Sequence, residues 1–305
     1  MPALLMVILF FSIAATIAYA QTLSPTTAQS KPPAASATTT TPTPTPEQDR
    51  ASLIRAIQKR MPGVPVNEWS QGGAIFTPGV AVMPLGGANA TNINDILAIG
   101  KKQWGKKFRN GKTFADCFPN GPRRAATSHP QFDIRSGQIV TLEWAIRQCL
   151  ERHGEPALDV TDATGALVMG ALSAYLRSFS VGQKLDIRIP GGHEKTMARE
   201  HYNAGRQWFA RRIGERDLAC VSCHVLQAGN SIDGIGIAPA IGLVLAWPRI
   251  EPGGGIRQLQ QQFQLCMTRV GAEPLPLYSQ PYNDLEYFLS AISTGLTLRP
   301  SIATR

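Results

Sequence analysis

Leu172-Ser-Ala-Tyr175-Leu176-Arg-Ser-Phe179-Ser180-Val-Gly182-Gln-Lys-Leu185 lies without a gap over Leu285-Glu-Tyr-Phe288-Leu289-Ser-Ala-Ile292-Ser293-Thr-Gly295-Leu-Thr-Leu298. Both segments place bulky apolar residues at i, i+3, i+4 and i+7, which is one face of an α-helix. Both stop at Ser-x-Gly, where glycine suits the left-handed residue that follows a helix end. The second opens Asn283-Asp-Leu-Glu286, the pattern of an N-cap with a reciprocal glutamate.

A second pair of segments repeats in the same order. Cys149-Leu-Glu-Arg152-His-Gly154-Glu155-Pro156 matches Cys266-Met-Thr-Arg269-Val-Gly271-Ala-Glu273-Pro274 with one residue inserted, and Leu142 and Leu259 stand seven residues before the two cysteines. Gly100 and Trp104 precede Cys117 much as Gly205 and Phe209 precede Cys220. Generic amphipathic helices would explain the first match but not the second. The chain therefore reads as mainly α, a tandem duplication of one small helical domain, with copies at 50–190 and 191–305.

What precedes the repeat belongs to neither copy. Ala3–Ala18 is almost wholly apolar and ends in Ala18-Tyr19-Ala20, a small-x-small cleavage pattern, so residues 1–20 read as an export signal cut near Ala20. Residues 21–49 turn to Ser, Thr, Pro and Ala, with too little apolar surface to offset ordering entropy; they read as a disordered tether. The net charge is +9, with the cations scattered along the chain. Export argues against nucleic acid, leaving solubility and a modest bias towards small anions or an acidic partner.

Cys220-Val-Ser-Cys223-His224 has the C-x-x-C-H spacing of covalent haem attachment. Two thiols bond the haem vinyl groups, and the short turn aims the next imidazole at the iron. A zinc site would need a second C-x-x-C, and a thioredoxin-like dithiol does not need the histidine. The expectation is one haem c on Cys220 and Cys223 with His224 on its iron, in an exported c-type cytochrome. His129, His153, His193 and His201 sit in no motif and read as surface or structural residues.

The sixth iron ligand lies at Cys266 or Met267, 42 and 43 residues after His224. Methionine is the ordinary choice in an electron carrier. The duplication favours Cys266, because the first copy carries Cys149 at the aligned position. Neighbouring side chains on a helix diverge by about 100°, so both sulfurs cannot face the iron.

The first copy has lost its haem site. With Cys117 laid over Cys223, Phe118 falls where His224 stands, and Thr113 or Phe114 occupies the stretch of the other attachment cysteine. Two cysteines that would flank a porphyrin can close on each other in an oxidising compartment. A Cys117–Cys149 disulfide is expected, worth about 3–4 kcal/mol by the chain-entropy argument for a loop of this length.

At this point the residues resemble the SoxA subunits of the SoxAX cytochromes of sulfur-oxidising bacteria. The likeness runs from Gly100 to Pro300 and rests on Phe114-Ala-Asp-Cys117-Phe118, Leu142 through Cys149, the C-x-x-C-H motif, and Cys266-Met-Thr-Arg269 followed by Glu273-Pro274. One haem motif with a cysteine pair in the first copy looks like the monohaem branch. The resemblance implies a periplasmic L-cysteine S-thiosulfotransferase that pairs with a small SoxX-type cytochrome. It would couple thiosulfate oxidatively to a cysteine of a SoxYZ-type carrier, with electrons leaving through haem. It also implies that Cys266 is the family's haem-ligating, persulfide-modified active cysteine. A thiolate is the reactive form of sulfur for such chemistry.

One position departs from the pattern: the family carries an arginine four residues before the active cysteine, and here Gln262 stands there. Arg257, Gln262 and Arg269 are the candidate contacts for the substrate anion. Two other functions stay open on the residues alone. One is a periplasmic electron-transfer cytochrome using His224 and Met267 without thiosulfate chemistry; the other is a SoxA-like subunit that docks a partner without catalysis.

Overall fold

The computed structural model describes residues 44–76, 90–190, 195–232, 235–250 and 255–299. The expected signal and residues 21–43 of the expected tether lie outside them. Helix α1 (Pro46–Arg60) opens on a capping box: Thr45 Oγ1 accepts from the Gln48 N–H at 3.3 Å, and the Gln48 side chain accepts from the Thr45 N–H at 2.7 Å. Pro46–Asp49, read from composition as tether, are thus the first turn of a helix.

A 3₁₀ run (Val66–Phe76) leads to α2 (Ala90–Trp104), α3 (Phe114–Cys117) and α4 (Gly121–Ser128). The β1 (Gln131–Asp133) and β2 (Gln138–Val140) hairpin, with Phe132 opposite Ile139, then leads to α5 (Leu142–Arg152) and α6 (Ala163–Ser178). The second half follows with α7 (Lys195–Ala210) and α8 (Cys220–His224). Two small hairpins come next, β3 (Ser231–Ile232) with β4 (Ile235–Gly236) and β5 (Arg249–Ile250) with β6 (Ile256–Arg257). The chain closes with α9 (Leu259–Arg269) and α10 (Gln280–Ile292). Helix α10 starts three residues ahead of the Asn283 cap expected from sequence. Ser279 is its N-cap and Pro281 sits in its first turn, a place where a missing N–H costs nothing.

The repeat has a geometric counterpart. Helix α2 crosses α6 at Gly100, where an added Cβ would lie 2.2 Å from the Ala171 carbonyl oxygen and 2.6 Å from Tyr175 Cβ. Helix α7 crosses α10 at Gly205, where it would lie 2.0 Å from the Asp284 oxygen and 2.9 Å from Phe288 Cβ. Tyr175 and Phe288 are the residues that the sequence match aligns. Each crossing therefore needs a residue without a side chain at its nearest point. Phe288, Leu289 and Tyr202 close the second crossing fully buried, each contributing about 1.5–3 kcal/mol of apolar burial.

The segments after α6 and α10 pair with each other through reciprocal hydrogen bonds. Gly182 N–H donates to Leu298 O (3.1 Å) and Gly295 N–H to Leu185 O (2.8 Å), while Leu185 N–H donates to Leu296 O (2.9 Å) and Leu298 N–H to Gln183 O (2.7 Å). Aligned residues exchange equivalent bonds, as two copies about a local two-fold axis would. The expected boundary at 190 is thus no gap in packing. Helix α1 also crosses it, because the buried Asp49 accepts from Tyr202 Oη (2.8 Å) and Arg206 Nε (3.0 Å), and Arg50 donates to the Ile292 carbonyl.

Two aromatic-rich cores result. One gathers Phe108, Phe114, Phe118, Leu142, Ile146 and Leu172 in the first half, and the larger joins α1 to the second half. Among the described residues no helix is long and apolar enough to cross a membrane.

Candidate haem site

Helix α8 is one turn long and holds the C-x-x-C-H motif. Ser222, inside the motif, accepts from the Ala219 N–H at 3.1 Å and so closes the N-terminus of the turn. Cys220 and Cys223, three apart, lie on one face of it as unpaired, half-buried thiols. Burial pushes the Cys220 thiol up to about 12 and, with the Cys266 charge, raises Cys223 as well.

The imidazole of His224 is oriented by the loop after the motif. Its Nδ1 is 2.7 Å from the Ala238 carbonyl, and the Ala240 N–H donates to His224 O at 2.8 Å, tying that loop to α8. A carbonyl only accepts, so Nδ1 carries a proton, and Nε2 is the nitrogen that a metal would take.

Helix α9 brings Cys266 to the same place. Burial opposes its thiolate most strongly. The nearby His224 imidazole (by hydrogen bonding and charge), the Gln262 amide and the positive Arg269 nonetheless hold the thiol below its ordinary value. Gln262 Nε2 donates to Cys266 Sγ at 3.5 Å, and Arg257 Nη1 donates to Gln262 Oε1 at 3.0 Å. Met267 faces elsewhere: its sulfur accepts from Tyr282 Oη at 2.9 Å and packs against the larger core. The structure thus gathers Cys220, Cys223, His224, Cys266, Gln262 and Arg257, and holds the Met267 sulfur on Tyr282. Arg269 is exposed one turn beyond Cys266.

In the first half, Cys117 at the end of α3 and Cys149 on α5 form a disulfide with Cα atoms 5.8 Å apart. Phe118 is buried among Trp104 (ring centres 5.7 Å) and His129 (6.3 Å). An apolar ring packed on aromatic neighbours stands where the aligned second-half residue offers an imidazole. His153 brings a ring nitrogen within 4.8 Å of both sulfurs, but these are spent on each other.

The family of the chain follows from comparison with known proteins. The SoxA/TsdA, cytochrome c domain profile matches residues 99–185. The chain is 34% identical over 201 residues to the L-cysteine S-thiosulfotransferase subunit SoxA of Chlorobaculum tepidum, covering 66% of this chain and 67% of that one. The chain belongs to the SoxA family. The Allochromatium vinosum SoxA is 29% identical over 260 residues, covering 83% of this chain and 88% of that relative. SoxXA from P. pantotrophus has the same fold, with a TM-score of 0.61, 20% identity, and 72% of this chain and 80% of that one aligned.

A SoxA-family cytochrome c domain takes a c-type haem, and the second-half residues suit it. Two unpaired thiols on one face of a turn, a histidine whose Nδ1 is fixed on the Ala238 carbonyl, and Cys266 hydrogen-bonded to that histidine converge on one place. The first half, with its disulfide and Phe118, offers no such set.

Sequence reasoning missed two contributors and one contact. The Ala238 carbonyl is backbone and leaves no side-chain signal. Tyr282 shows only as a helix aromatic, and nothing in its spacing points to Met267. Arg257 was expected near the anion, but its contact with Gln262 depends on how β6 turns into α9. Among the remaining histidines, His129 Nδ1 donates to Ala125 O within the core and His201 bridges Asp284 and Gly137. His193 lies outside the described residues.

Proposed function

We propose that this chain is a monohaem SoxA subunit that couples thiosulfate to a carrier cysteine, with Cys266 as the reacting sulfur. The observation that carries the reading is the split between neighbours: Cys266 hydrogen-bonds with His224, while Met267 is held by Tyr282. One haem c would be held by Cys220 and Cys223, with His224 and Cys266 on its iron. Bound there, it supplies a one-electron acceptor whose electrons pass on to a partner cytochrome.

The chain's own groups account for the rest. The Cys266 thiolate joins the outer sulfur of thiosulfate to give Cys266–S–S–SO₃⁻, and two electrons leave. The carrier thiolate then attacks the inner sulfur of that group, takes –S–SO₃⁻, and returns Cys266 to its thiolate. Charge balances in each step. Arg257, Gln262 and Arg269 supply the donors and positive field that steady the substrate dianion against the anionic cysteine.

The partner is a SoxX-type small cytochrome and the carrier is of SoxYZ type. The protein works in the periplasm after cleavage near Ala20, and nucleic acid is no partner.

The test is Cys266→Ala in the haem-loaded complex, with mass spectrometry of the carrier after incubation with thiosulfate. Loss of the carrier thiosulfonate is expected; its undiminished formation would show that the reacting sulfur is elsewhere. Iron content per polypeptide, expected at a ratio of one, checks the single haem.

A further inference from the structure

Gln262 stands one helical turn before Cys266, and its amide is engaged at both ends. Its Nε2 donates to Cys266 Sγ (3.5 Å) and its Oε1 accepts from Arg257 Nη1 (3.0 Å). That orientation is forced, since a guanidinium offers only donors and must face the oxygen, which leaves the NH₂ for the sulfur. Arg257 comes from β6, ahead of α9, and not from the helix that carries Cys266. The cation, the amide dipole and the sulfur thus run head to tail, an order in which each hydrogen bond polarises the next.

We infer that Arg257 and Gln262 form a positioning relay, in which the Arg257 charge reaches Cys266 through the Gln262 amide and prepares that sulfur for an anionic sulfur-oxyanion substrate. The inference rests on the proposed thiosulfate chemistry at Cys266. A glutamine alone is neutral and free to rotate, so it neither draws a dianion nor fixes a sulfur. Pinned by Arg257, it presents a single N–H direction to Cys266, and positive charge stands behind it. The site thereby draws a second cation from a strand, beside Arg269 of α9 whose charge already acts on Cys266, at the cost of one intervening amide. Like charges meet when thiosulfate approaches a thiolate, and a cation set back by one side chain offsets that repulsion while leaving the sulfur uncovered.

The experiment uses the haem-loaded protein with its partner cytochrome and carrier. Arg257→Ala, Arg257→Lys, Gln262→Leu and the double variant R257A/Q262L are compared by the low-spin ferric paramagnetic resonance spectrum and by KM and kcat for thiosulfate. A relay predicts that R257A and Q262L each shift the thiolate signal and raise KM about tenfold, the loss of one charge-assisted hydrogen bond. The double variant should be no worse than the worse single one, and R257K should recover most of the KM. Additive effects, or an R257A spectrum and KM equal to wild type, would overturn it. Cys266→Ala separates the two levels: if it leaves the ferric spectrum and the thiosulfate reaction intact, the assignment of Cys266 fails, and the relay fails with it.

Discussion

Tyr282 donates its hydroxyl hydrogen to the sulfur of Met267 at 2.9 Å, and the same hydroxyl accepts from the Leu275 N–H at 3.3 Å. Burial pushes the Tyr282 hydroxyl up to about 12, so it stays a donor across the neutral range. Consecutive positions on α9 diverge by about 100°, which sends Met267 to α10 while Cys266 meets His224. The ferric haem-loaded protein should give a histidine/thiolate spectrum that survives Met267→Leu and Tyr282→Phe and disappears in Cys266→Ala. The reverse pattern, loss in M267L and retention in C266A, would make the protein an electron carrier. Tyr282→Phe should also lower unfolding stability by about 1 kcal/mol, the worth of one hydrogen bond.

The two glycine crossings make a matched pair of stability predictions. Gly100→Ala and Gly205→Ala each place a Cβ within 2.2 Å of a backbone oxygen, which packed helices can accommodate only by moving apart. Each should destabilise by about 1–3 kcal/mol in urea unfolding, an overpacking cost. Gly205→Ala should in addition reduce haem incorporation, since α7 also packs on α8. Equal stability of either variant with wild type would contradict the crossing geometry.

Removing the disulfide should act on stability without touching the haem. Cys117 and Cys149 are 32 residues apart in sequence, and replacing both with serine should cost about 3–4 kcal/mol. The ferric spectrum should be unchanged, because the His224 and Cys266 contacts come from the other half. A shifted spectrum in that variant would show that the two halves are coupled through α5 and α9.

Stability should fall as pH rises, for two reasons. His201 Nδ1 contacts Asp284 Oδ1 and its Nε2 contacts the Gly137 carbonyl, both at 2.8 Å, an arrangement that suits the doubly protonated ring. The bond to Asp284 chiefly raises its pKa above 6.5, so its stabilisation is complete below 6.5 and lost as pH climbs through the higher folded value. Glu286 is held above the carboxylate range first by burial and then by Glu143, so the folded state keeps a proton that the unfolded state has released above about 4.5. Urea midpoints measured between about pH 5 and 8 should decline with pH. Glu286→Gln should flatten the lower part of that decline and His201→Gln the upper part. A midpoint that rises with pH in wild type would refute both assignments.

The same buried carboxylates show where the repeat was legible and where it was not. Residues 143 and 260 hold the second positions of α5 and α9, and residues 173 and 286 are paired by the Leu172/Leu285 match. In the first half Ser173 Oγ donates to Glu143 at 2.6 Å; in the second Gln260 Nε2 donates to Glu286 at 3.1 Å. One carboxylate and one donor occupy the same crossing with their places exchanged. Alignment by residue identity cannot see such a swap, because a hydrogen bond is indifferent to which helix supplies the acceptor.

The opposite error occurred at the start of the described residues. Composition assigned residues 44–49 to the tether, yet Thr45 and Gln48 cap a helix, and Asp49 is anchored by Tyr202 and Arg206. Helix α1 carries few apolar residues, and its order comes from partners more than 150 positions away, which no local window contains.

By itself the sequence carried the helix periodicity, the C-x-x-C-H motif with its histidine, the phenylalanine after Cys117 and the pairing of Cys117 with Cys149. These follow from spacing and residue type, and helix periodicity carries them without reference to the rest of the chain. Tertiary structure decided which of Cys266 and Met267 hydrogen-bonds with His224, how Arg257 meets Gln262, and where α1 docks. Each of these depends on the direction of a side chain relative to elements distant in sequence. A helix specifies the angle between its own neighbours, but only packing specifies what stands opposite them.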